Sequence, residues 1–291
     1  MTVTTIPEAL GTRLRKMLED RRGLLVPGCG NALAARLIEN MGFEAIYLSG
    51  AGLTNSFYGV PDLGFINLTD IAANTAAIRD VVELPLIVDA DTGFGNALNV
   101  RQTVRALERA GANAIQIEDQ VMPKKCGHFS GKEIVSADEM VSKVKAAVDA
   151  RVNGDFLVIA RTDARAVSGL DDALDRAQKF RDAGADITFV EAPSSIQELE
   201  AIARLPWPQV VNVVIGGKTP ALPAAEYAAM GFSMVLYANA ALQGAVRGMS
   251  NALEHLQRAG ILGEDPNLVA TFAERQGLVR KDMFDRLEGM Y

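Results

Sequence analysis

The amino-acid sequence predicts a closed (β/α)8 barrel. Apolar, β-branched runs alternate with longer stretches of helical period, and the alternation repeats almost to the end of the chain. Eight such runs can be counted, which is the number that a closed barrel needs. An open doubly wound sheet is the weaker alternative, because no Gly-x-Gly-x-x-Gly turn follows the first strand. We predict strands at 23–26, 44–48, 86–89, 114–118, 156–161, 187–190, 209–213 and 233–237.

The segments around the strands predict helices. Examples between strands are 98–110, 137–151, 170–183 and 195–204. An amphipathic segment at 5–21 precedes the first strand and is expected to lie across the bottom of the barrel. After the eighth strand, 239–259 and 266–287 each predict one helix. No low-complexity tract or shift in composition marks a linker, so we predict one domain over residues 1–291, with a helical extension from about residue 239.

The composition argues against several classes of protein. The formal net charge of -7 disfavours a nucleic-acid-binding surface. The sequence contains no apolar span of membrane length and no secretory leader, so we expect a cytoplasmic protein with no membrane partner. The two cysteines, Cys29 and Cys126, are too few for a disulfide framework.

Acidic residues follow two of the predicted strands. Asp89 and Asp91 end the run LPLIVDAD, and Glu118 lies at the end of ANAIQIED. The carboxyl ends of parallel strands meet at one mouth of a barrel, so these carboxylates are expected to lie together. Asp89 and Asp91 stand two apart on a segment that we expect to be extended, where like charges on one face need a cation or a proton. Oxygen ligands favour Mg²⁺ or Mn²⁺ over zinc. The alternative is that the aspartates cap the next helix.

The segment PKKCGHFSGK follows the fourth strand and brings a thiol, a histidine and lysines to the same mouth. Cationic neighbours such as Lys124 and His128 are expected to lower the pKa of the Cys126 thiol, so that it can exchange a proton near neutral pH. A buried apolar role is the alternative, which the charges and glycines of the segment disfavour. Cys29 has no activating neighbour, and both packing and lining of the pocket stay open for it.

Charged residues also end the fifth and sixth strands. A guanidinium at a barrel mouth, such as that of Arg161, suits bidentate binding of a substrate carboxylate. The alternative is that Arg161 forms a structural ion pair with Glu191 or Asp163. His255, in NALEHLQRAG, is expected to be an ordinary residue of a helix surface.

The ordered motifs IYLSGAG, VPDLG, VDADTGFGN, IEDQ, PKKCGH, IARTDA, FVEAP and VNVVIGGKTP resemble those of the isocitrate lyase and phosphoenolpyruvate mutase superfamily. Within it, KKCGH resembles the signature loop of the carbon–carbon lyases. The resemblance implies a barrel whose eighth helix is exchanged between the subunits of a homotetramer. It also implies Mg²⁺ near Asp89 and Asp91, reached directly or through water by Asp62 and Glu118. The substrate contacts that it implies are Tyr47, Ser49, Gly50, Ala51, Cys126, Gly127, His128, Arg161, Glu191 and Asn212.

Two departures from the family pattern bear on the substrate. Gln243, in YANAALQ, stands where 2-methylisocitrate lyases carry an arginine, and Ile215 stands where many relatives carry glutamate. The loss of one cation and one acid predicts a less polar pocket, suited to a dicarboxylate with an alkyl substituent. The motif FVEAP, with Pro193, also resembles the corresponding motif in the branch of dimethylmalate lyase, petal death protein and oxaloacetate hydrolase. Arg275, in contrast, resembles a C-terminal arginine of the methylisocitrate enzymes.

The sequence therefore predicts a Mg²⁺-dependent lyase that cleaves the C2–C3 bond of a substituted malate, with a small dicarboxylate or 2-hydroxy acid as its substrate. Cys126 is expected to protonate the enediolate of the departing acid. Lys124 and Glu191 are candidates for the base that removes the hydroxyl proton. The groups expected to stabilise the enediolate are Arg161, His128 and Asn212.

Four alternatives stay open. The chain could be a 2-methylisocitrate lyase, an oxaloacetate hydrolase or an enzyme like the carboxyphosphonoenolpyruvate mutase. From a different class, it could be a noncatalytic barrel that binds dicarboxylates.

Overall fold

The computed structural model describes residues 8–129 and 131–291, so residues 5–7 of the predicted amphipathic segment lie outside the described residues. Eight parallel strands follow one another around a closed barrel, and β8 pairs with β1. The predicted (β/α)8 fold is confirmed. The strands are β1 (Leu24–Cys29), β2 (Ile46–Leu48), β3 (Leu86–Asp89), β4 (Ala114–Glu118), β5 (Leu157–Thr162), β6 (Ile187–Val190), β7 (Gln209–Asn212) and β8 (Met234–Tyr237).

Strand β1 departs most from its predicted bounds, because it continues to Cys29 instead of ending at residue 26. A Pro-Gly pair is a turn signal in a sequence. Here, however, Pro27 pairs with Tyr237 of β8. Gly28 lies so close to the backbone of Ala238 that a Cβ atom would not fit. The close approach of these two backbone segments cannot be seen in the sequence, and it outweighs the turn preference of Pro27 and Gly28.

Helices surround the barrel, and side-chain caps fix where several of them begin. Asn67 and Asn96, for example, accept hydrogen bonds from first-turn N–H groups of α4 and α5. No helix in the two described ranges is both long and apolar enough to cross a membrane. The helices are α1 (Leu10–Glu19), α2 (Ala32–Asn40), α3 (Gly50–Leu53, continued by a π-helical turn, Thr54–Tyr58), α4 (Leu68–Arg79), α5 (Ala97–Arg109), α6 (Ala137–Ala150), α7 (Ala164–Val167), α8 (Leu170–Asp182), α9 (Ile196–Ala203), α10 (Ala224–Met230), α11 (Ala240–Ala259), α12 (Phe272–Leu278) and α13 (Lys281–Glu288).

Helix α1 closes the bottom of the barrel. Its Leu14 and Leu18 are buried in one cluster with the residues that begin β1, β5 and β8, namely Leu24, Leu157 and Met234. Burial of one such side chain stabilises the fold by about 1.5–3 kcal/mol. The amphipathic segment therefore lies where the sequence placed it, and the carboxyl-terminal mouth stays open for chemistry.

The prediction of a single helix at 266–287 is wrong, because two helices, α12 and α13, occupy this region. Helix α12 begins only at Phe272, where Thr271 and Glu274 form a reciprocal capping box. The helix ends at Leu278, and Arg280 then adopts a left-handed conformation with φ of 56°. This conformation cannot continue a right-handed helix.

Helix α11 leaves a row of apolar side chains uncovered. None of its residues is buried in a single chain. Val246, Met249, Leu253 and Leu256 are 40–63% exposed, and their spacing of three and four residues places them on one face. An apolar face of this kind needs a partner. The exchange of this helix between subunits stays a prediction, and the exposed face supports it.

We expect Leu253→Asp to dissociate the predicted tetramer, because a carboxylate on an apolar contact face costs several kcal/mol when desolvated. The measurement is sedimentation velocity. Asn251→Asp is the matched control, since residue 251 lies on the opposite side of α11 and the assembly should be unaffected. A monomeric wild-type protein at micromolar concentration would contradict the proposed exchange.

Candidate active site

A pocket opens at the carboxyl-terminal mouth of the barrel, between the strand ends and the loop that follows β4. Three predicted site residues, Gly50, Asp91 and Glu118, are buried directly behind its wall. The structure thus brings the predicted residues together. Those that line the pocket are Tyr47, Ser49, Ala51, Asp62, Asp89, Lys124, Cys126, Gly127, His128, Arg161, Glu191 and Asn212.

Arg161 is held by three carboxylates at once. Its guanidinium lies 3.3 Å from Glu118, 3.0 Å from Asp163 and 3.1 Å from Glu191, each measured between the nearest nitrogen and oxygen. The ring of Phe189 lies below it, 5.3 Å from the guanidinium carbon. The structural ion pairs are thus confirmed, and Arg161 also lines the pocket, so its binding of a substrate carboxylate stays a prediction.

Lys124 lies between two of the acidic side chains. Its Nζ is 2.7 Å from Asp62 Oδ1 and 2.9 Å from Asp91 Oδ1. Burial alone would lower the pKa of Lys124, but Asp91, Glu118 and Asp62 outweigh burial and hold this pKa well above its usual range. Burial raises the pKa of Asp91 to about 7, although Lys124 pulls it in the opposite direction. Lys124 is therefore an ammonium group at neutral pH and poorly suited to act as a base.

Asp89 and Asp91 are close together, but not on one extended segment as expected. Asp89 is the last residue of β3, whereas Asp91 has a left-handed backbone with φ of 47°. The turn lets the N–H of Asp91 donate to Asp89 Oδ1 at 3.2 Å. The N–H of Gly50 donates to the other oxygen of Asp89 at 3.3 Å. Backbone donors thus supply part of the positive charge that two neighbouring carboxylates require.

The acidic cluster has the donors for a hard cation. Asp91 Oδ2 and Glu118 Oε1 are buried and accept no hydrogen bond, and Asp89 faces the pocket. Within residues 8–129 and 131–291, no three histidine, cysteine or carboxylate side chains converge closely enough to hold an ion by themselves. Because Mg²⁺ keeps several waters and uses only one or two carboxylates, the residues fit a Mg²⁺ ion that is bound partly through water.

The Cys126 thiol differs from its predicted state. Burial raises its pKa above the ordinary value of 9.0, and the opposing effects of the His128 backbone N–H and of Arg161 are smaller. The prediction of a lowered pKa was wrong, because the sequence shows the neighbouring cations but not the loss of water. Cys126 therefore carries its proton at neutral pH.

His128 joins the loop after β4 to two other elements. Its Nε2 is 3.1 Å from Glu191 Oε1, and its Nδ1 accepts a hydrogen bond from the N–H of Lys218 at 3.1 Å. Burial would raise the pKa of Glu191, but Arg161 and His128 lower it to about 2. Glu191 is therefore a carboxylate that holds charge and a weak acceptor of protons.

Sequence reasoning missed several residues of the pocket lining and also Gln116, which contacts the lining. Gln116, in the middle of β4, accepts from Tyr47 Oη at 2.8 Å and donates to Asp89 Oδ1 at 3.3 Å. Asn239 follows β8, and its Oδ1 accepts from Ser49 Oγ at 3.3 Å. Position at the carboxyl end of a strand was a signal that could have found Asn239. The other residues of the lining that were missed are Lys125, Phe189, Val214, Leu236 and Ala238.

Several other residues singled out in the sequence do not line the pocket of a single chain. Cys29 is buried in the core, and burial raises its pKa to about 12, so packing is its role. Ile215 is 52% exposed, and Gln243 is exposed on α11. Arg275 stacks on Phe272 of α12 at 5.3 Å. His255 is partly exposed on α11, as expected for a residue of a helix surface.

Known proteins of one superfamily resemble this chain over most of its length. The family model for phosphoenolpyruvate phosphomutase matches residues 14–257. The chain is 42% identical over 280 residues to 2,3-dimethylmalate lyase of Eubacterium barkeri, which covers 96% of this chain and 97% of the relative. It is 47% identical over 254 residues to a 2-methylisocitrate lyase of Aeropyrum pernix, which covers 87% and 82%.

A solved structure agrees with these similarities. The crystal structure of a 2,3-dimethylmalate lyase superposes with a TM-score of 0.92 at 36% identity, over 98% of this chain and 96% of that chain. The sequence similarity and the fold thus indicate the same superfamily. These relatives are lyases, and the chain belongs with them to the phosphoenolpyruvate mutase and isocitrate lyase superfamily.

Proposed function

We propose that this protein is a Mg²⁺-dependent lyase that cleaves the C2–C3 bond of a substituted malate, of the 2,3-dimethylmalate kind, into a 2-oxo acid and a carboxylic acid. The observation that carries the proposal is the make-up of one pocket. Cys126 and Arg161 share it with the acidic cluster of Asp62 and Asp89, and much of the remaining wall is apolar. A proton donor, a cation for a carboxylate and oxygen ligands for a metal are the parts that this reaction needs.

The metal would be held by the acidic cluster. We assign its binding to Asp89 and Asp91, with Asp62 and Glu118 reaching it directly or through water. Bound there, Mg²⁺ would polarise the 2-hydroxy oxygen and the neighbouring carboxylate of the substrate. The ammonium of Lys124 would stay beside Asp62 and Asp91 and balance part of their charge.

Bond cleavage requires that the 2-hydroxyl proton pass to a base, and it leaves an enediolate that must be stabilised by groups already in place. We assign this role to Arg161, His128 and Asn212, which line the pocket. Glu191 keeps two of them oriented, because it contacts Arg161 at 3.1 Å and His128 at 3.1 Å. The low pKa of Glu191 favours this role over that of a base.

Cys126 would then deliver its proton to the carbon of the enediolate. A raised pKa suits this step, since the thiol holds the proton until a strongly basic carbon is formed. We propose no covalent bond between the sulfur and the substrate. The thiol lines the pocket with Arg161 and Glu191, and its neighbours Gly127 and His128 contact these two side chains.

The apolar part of the wall would receive the alkyl substituents of the substrate. Phe189, Val214, Leu236 and Ala238 provide this surface. The predicted loss of polarity was attributed to Ile215 and Gln243, but neither lines the pocket of a single chain. The preference for an alkylmalate therefore rests on the residues at the ends of β6, β7 and β8.

The metal requirement gives the first test of this proposal. EDTA should abolish turnover, Mg²⁺ or Mn²⁺ should restore it, and Asp89→Ala should lose most of its affinity for Mg²⁺ in calorimetry while its circular dichroism stays that of a folded barrel. Asp149→Ala, at an exposed position of α6, is the matched control. Full activity of the metal-free protein would refute the metal site.

Substrate preference gives the second test. A third carboxylate would enter a pocket in which Arg161 and Lys124 are already paired, and an unpaired desolvated charge costs several kcal/mol, enough for a discrimination on the order of a thousandfold. We expect kcat/KM for 2,3-dimethylmalate to exceed that for 2-methylisocitrate by about this factor. The reverse order, abolished by Arg275→Ala, would show that Arg275 supplies the missing cation.

Replacement of the thiol gives the third test. Cys126→Ser nearly preserves shape, but a hydroxyl is a much weaker acid than a thiol. We expect kcat to fall by roughly two to four powers of ten while substrate and Mg²⁺ binding change little. Cys29→Ala is the control: it replaces the other cysteine, which lies in the core, and should leave kcat near the wild-type value. Near-normal kcat in the serine variant would move the acid role to another residue.

A further inference from the structure

Lys132 is a buried cation close to the active site that does not line the pocket. Its side chain is 2% exposed. The Nζ donates to Asp163 Oδ1 at 2.5 Å and also donates to the carbonyl oxygen of Gly127. One ammonium group therefore connects a carboxylate at the end of β5 with the peptide next to Cys126.

The carbonyl that Lys132 holds belongs to a tightly packed part of the loop. A Cβ atom at Gly127 would collide with the guanidinium of Arg161 and with the side chain of Glu191. The backbone of Gly127 therefore rests directly on this ion pair. A shift of Gly127 would move the neighbouring Cys126 away from it.

The other end of the connection is equally fixed. Asp163 receives two hydrogen bonds from Arg161, at 3.0 and 3.1 Å. The N–H of Asp163 donates to Asp119 Oδ1 at 2.9 Å, and Asp119 also accepts from Arg176 at 3.1 Å. Asp163 is thus a rigid anchor that holds Arg161 and Lys132 on the same carboxylate.

We propose that Lys132 is a positioning residue, which fixes the Gly127 carbonyl and thereby holds the Cys126 thiol in the pocket that it shares with Arg161. Asp163 already accepts two hydrogen bonds from Arg161, so Lys132 is not needed to neutralise it. The remaining donors of the buried ammonium need acceptors, and the Gly127 carbonyl is the acceptor that connects the loop to Asp163. The inference rests on the proposed function only for the role of Cys126 as proton donor.

The test compares Lys132→Met with Lys145→Met, a matched change at an exposed position of α6. Alkylation of Cys126 by iodoacetamide, followed by peptide mapping, reports the position of the thiol without any need for turnover. We expect alkylation to become about tenfold faster in Lys132→Met, and protection by oxalate with Mg²⁺ to be lost. Equal alkylation rates in Lys132→Met and the wild type would overturn the proposal.

Kinetics provide the second readout. Misplacement of the thiol by about 1 Å should lower kcat on the order of ten- to a hundredfold, with a much smaller change in KM. Faster alkylation of Lys132→Met without turnover of any malate by the wild type would support the positioning role and refute the proposed function. A kcat equal to that of the wild type, in an enzyme that does turn over, would refute the positioning role.

A measurement on the wild type covers the case in which Lys132→Met does not fold. Acetic anhydride should acetylate Lys132 much more slowly than the exposed Lys145, since the ammonium of Lys132 is buried against Asp163 and the Gly127 carbonyl. Acetylation of Lys132 as fast as that of Lys145 would count against the link between the loop and Asp163.

Discussion

The rest of the site depends on the burial of one positive charge, the guanidinium of Arg161. It is 8% exposed and is surrounded by Glu118, Asp163 and Glu191. Removal of a charge from water costs several kcal/mol, and only well-placed partners repay this cost. Loss of one partner from such a network is destabilising by about 3–5 kcal/mol, because it leaves an uncompensated buried charge. The barrel must therefore bring three strand ends together accurately before this arrangement is stable.

The parallel pairing of the strands supplies this accuracy. Glu118 of β4 lies directly beside Arg161 of β5, and Arg161 lies beside Phe189 of β6. Backbone pairing of the strands thus fixes the positions of Glu118 and Phe189 beside Arg161. The loop after β4 then rests on the ion pair through Gly127, which carries the thiol and the histidine to the same place. Electrostatic preorganisation of this kind is what a developing negative charge requires.

The sequence was sufficient for features that depend on local pattern. Apolar β-branched runs predicted all eight strands, and charged residues at the strand ends predicted Asp89, Arg161 and Glu191. Most of the other predicted residues of the pocket came from the resemblance to a known family. Features that depend on burial could not be predicted from the sequence. The pKa of Cys126 was predicted to fall and instead rises, because the effect of lost water exceeds that of the neighbouring charges. The turn at Asp91 and the link from Lys132 to Gly127 also arise from tertiary contacts.

The most direct test of the account is identification of the products in deuterated water. 2,3-Dimethylmalate would be incubated with the protein and Mg²⁺ in D₂O and followed by ¹H NMR. Cleavage of the C2–C3 bond with protonation at carbon predicts pyruvate together with propionate that carries one deuterium at C2. Absence of cleavage, combined with conversion of oxaloacetate to oxalate and acetate, would contradict the account and identify a hydrolase.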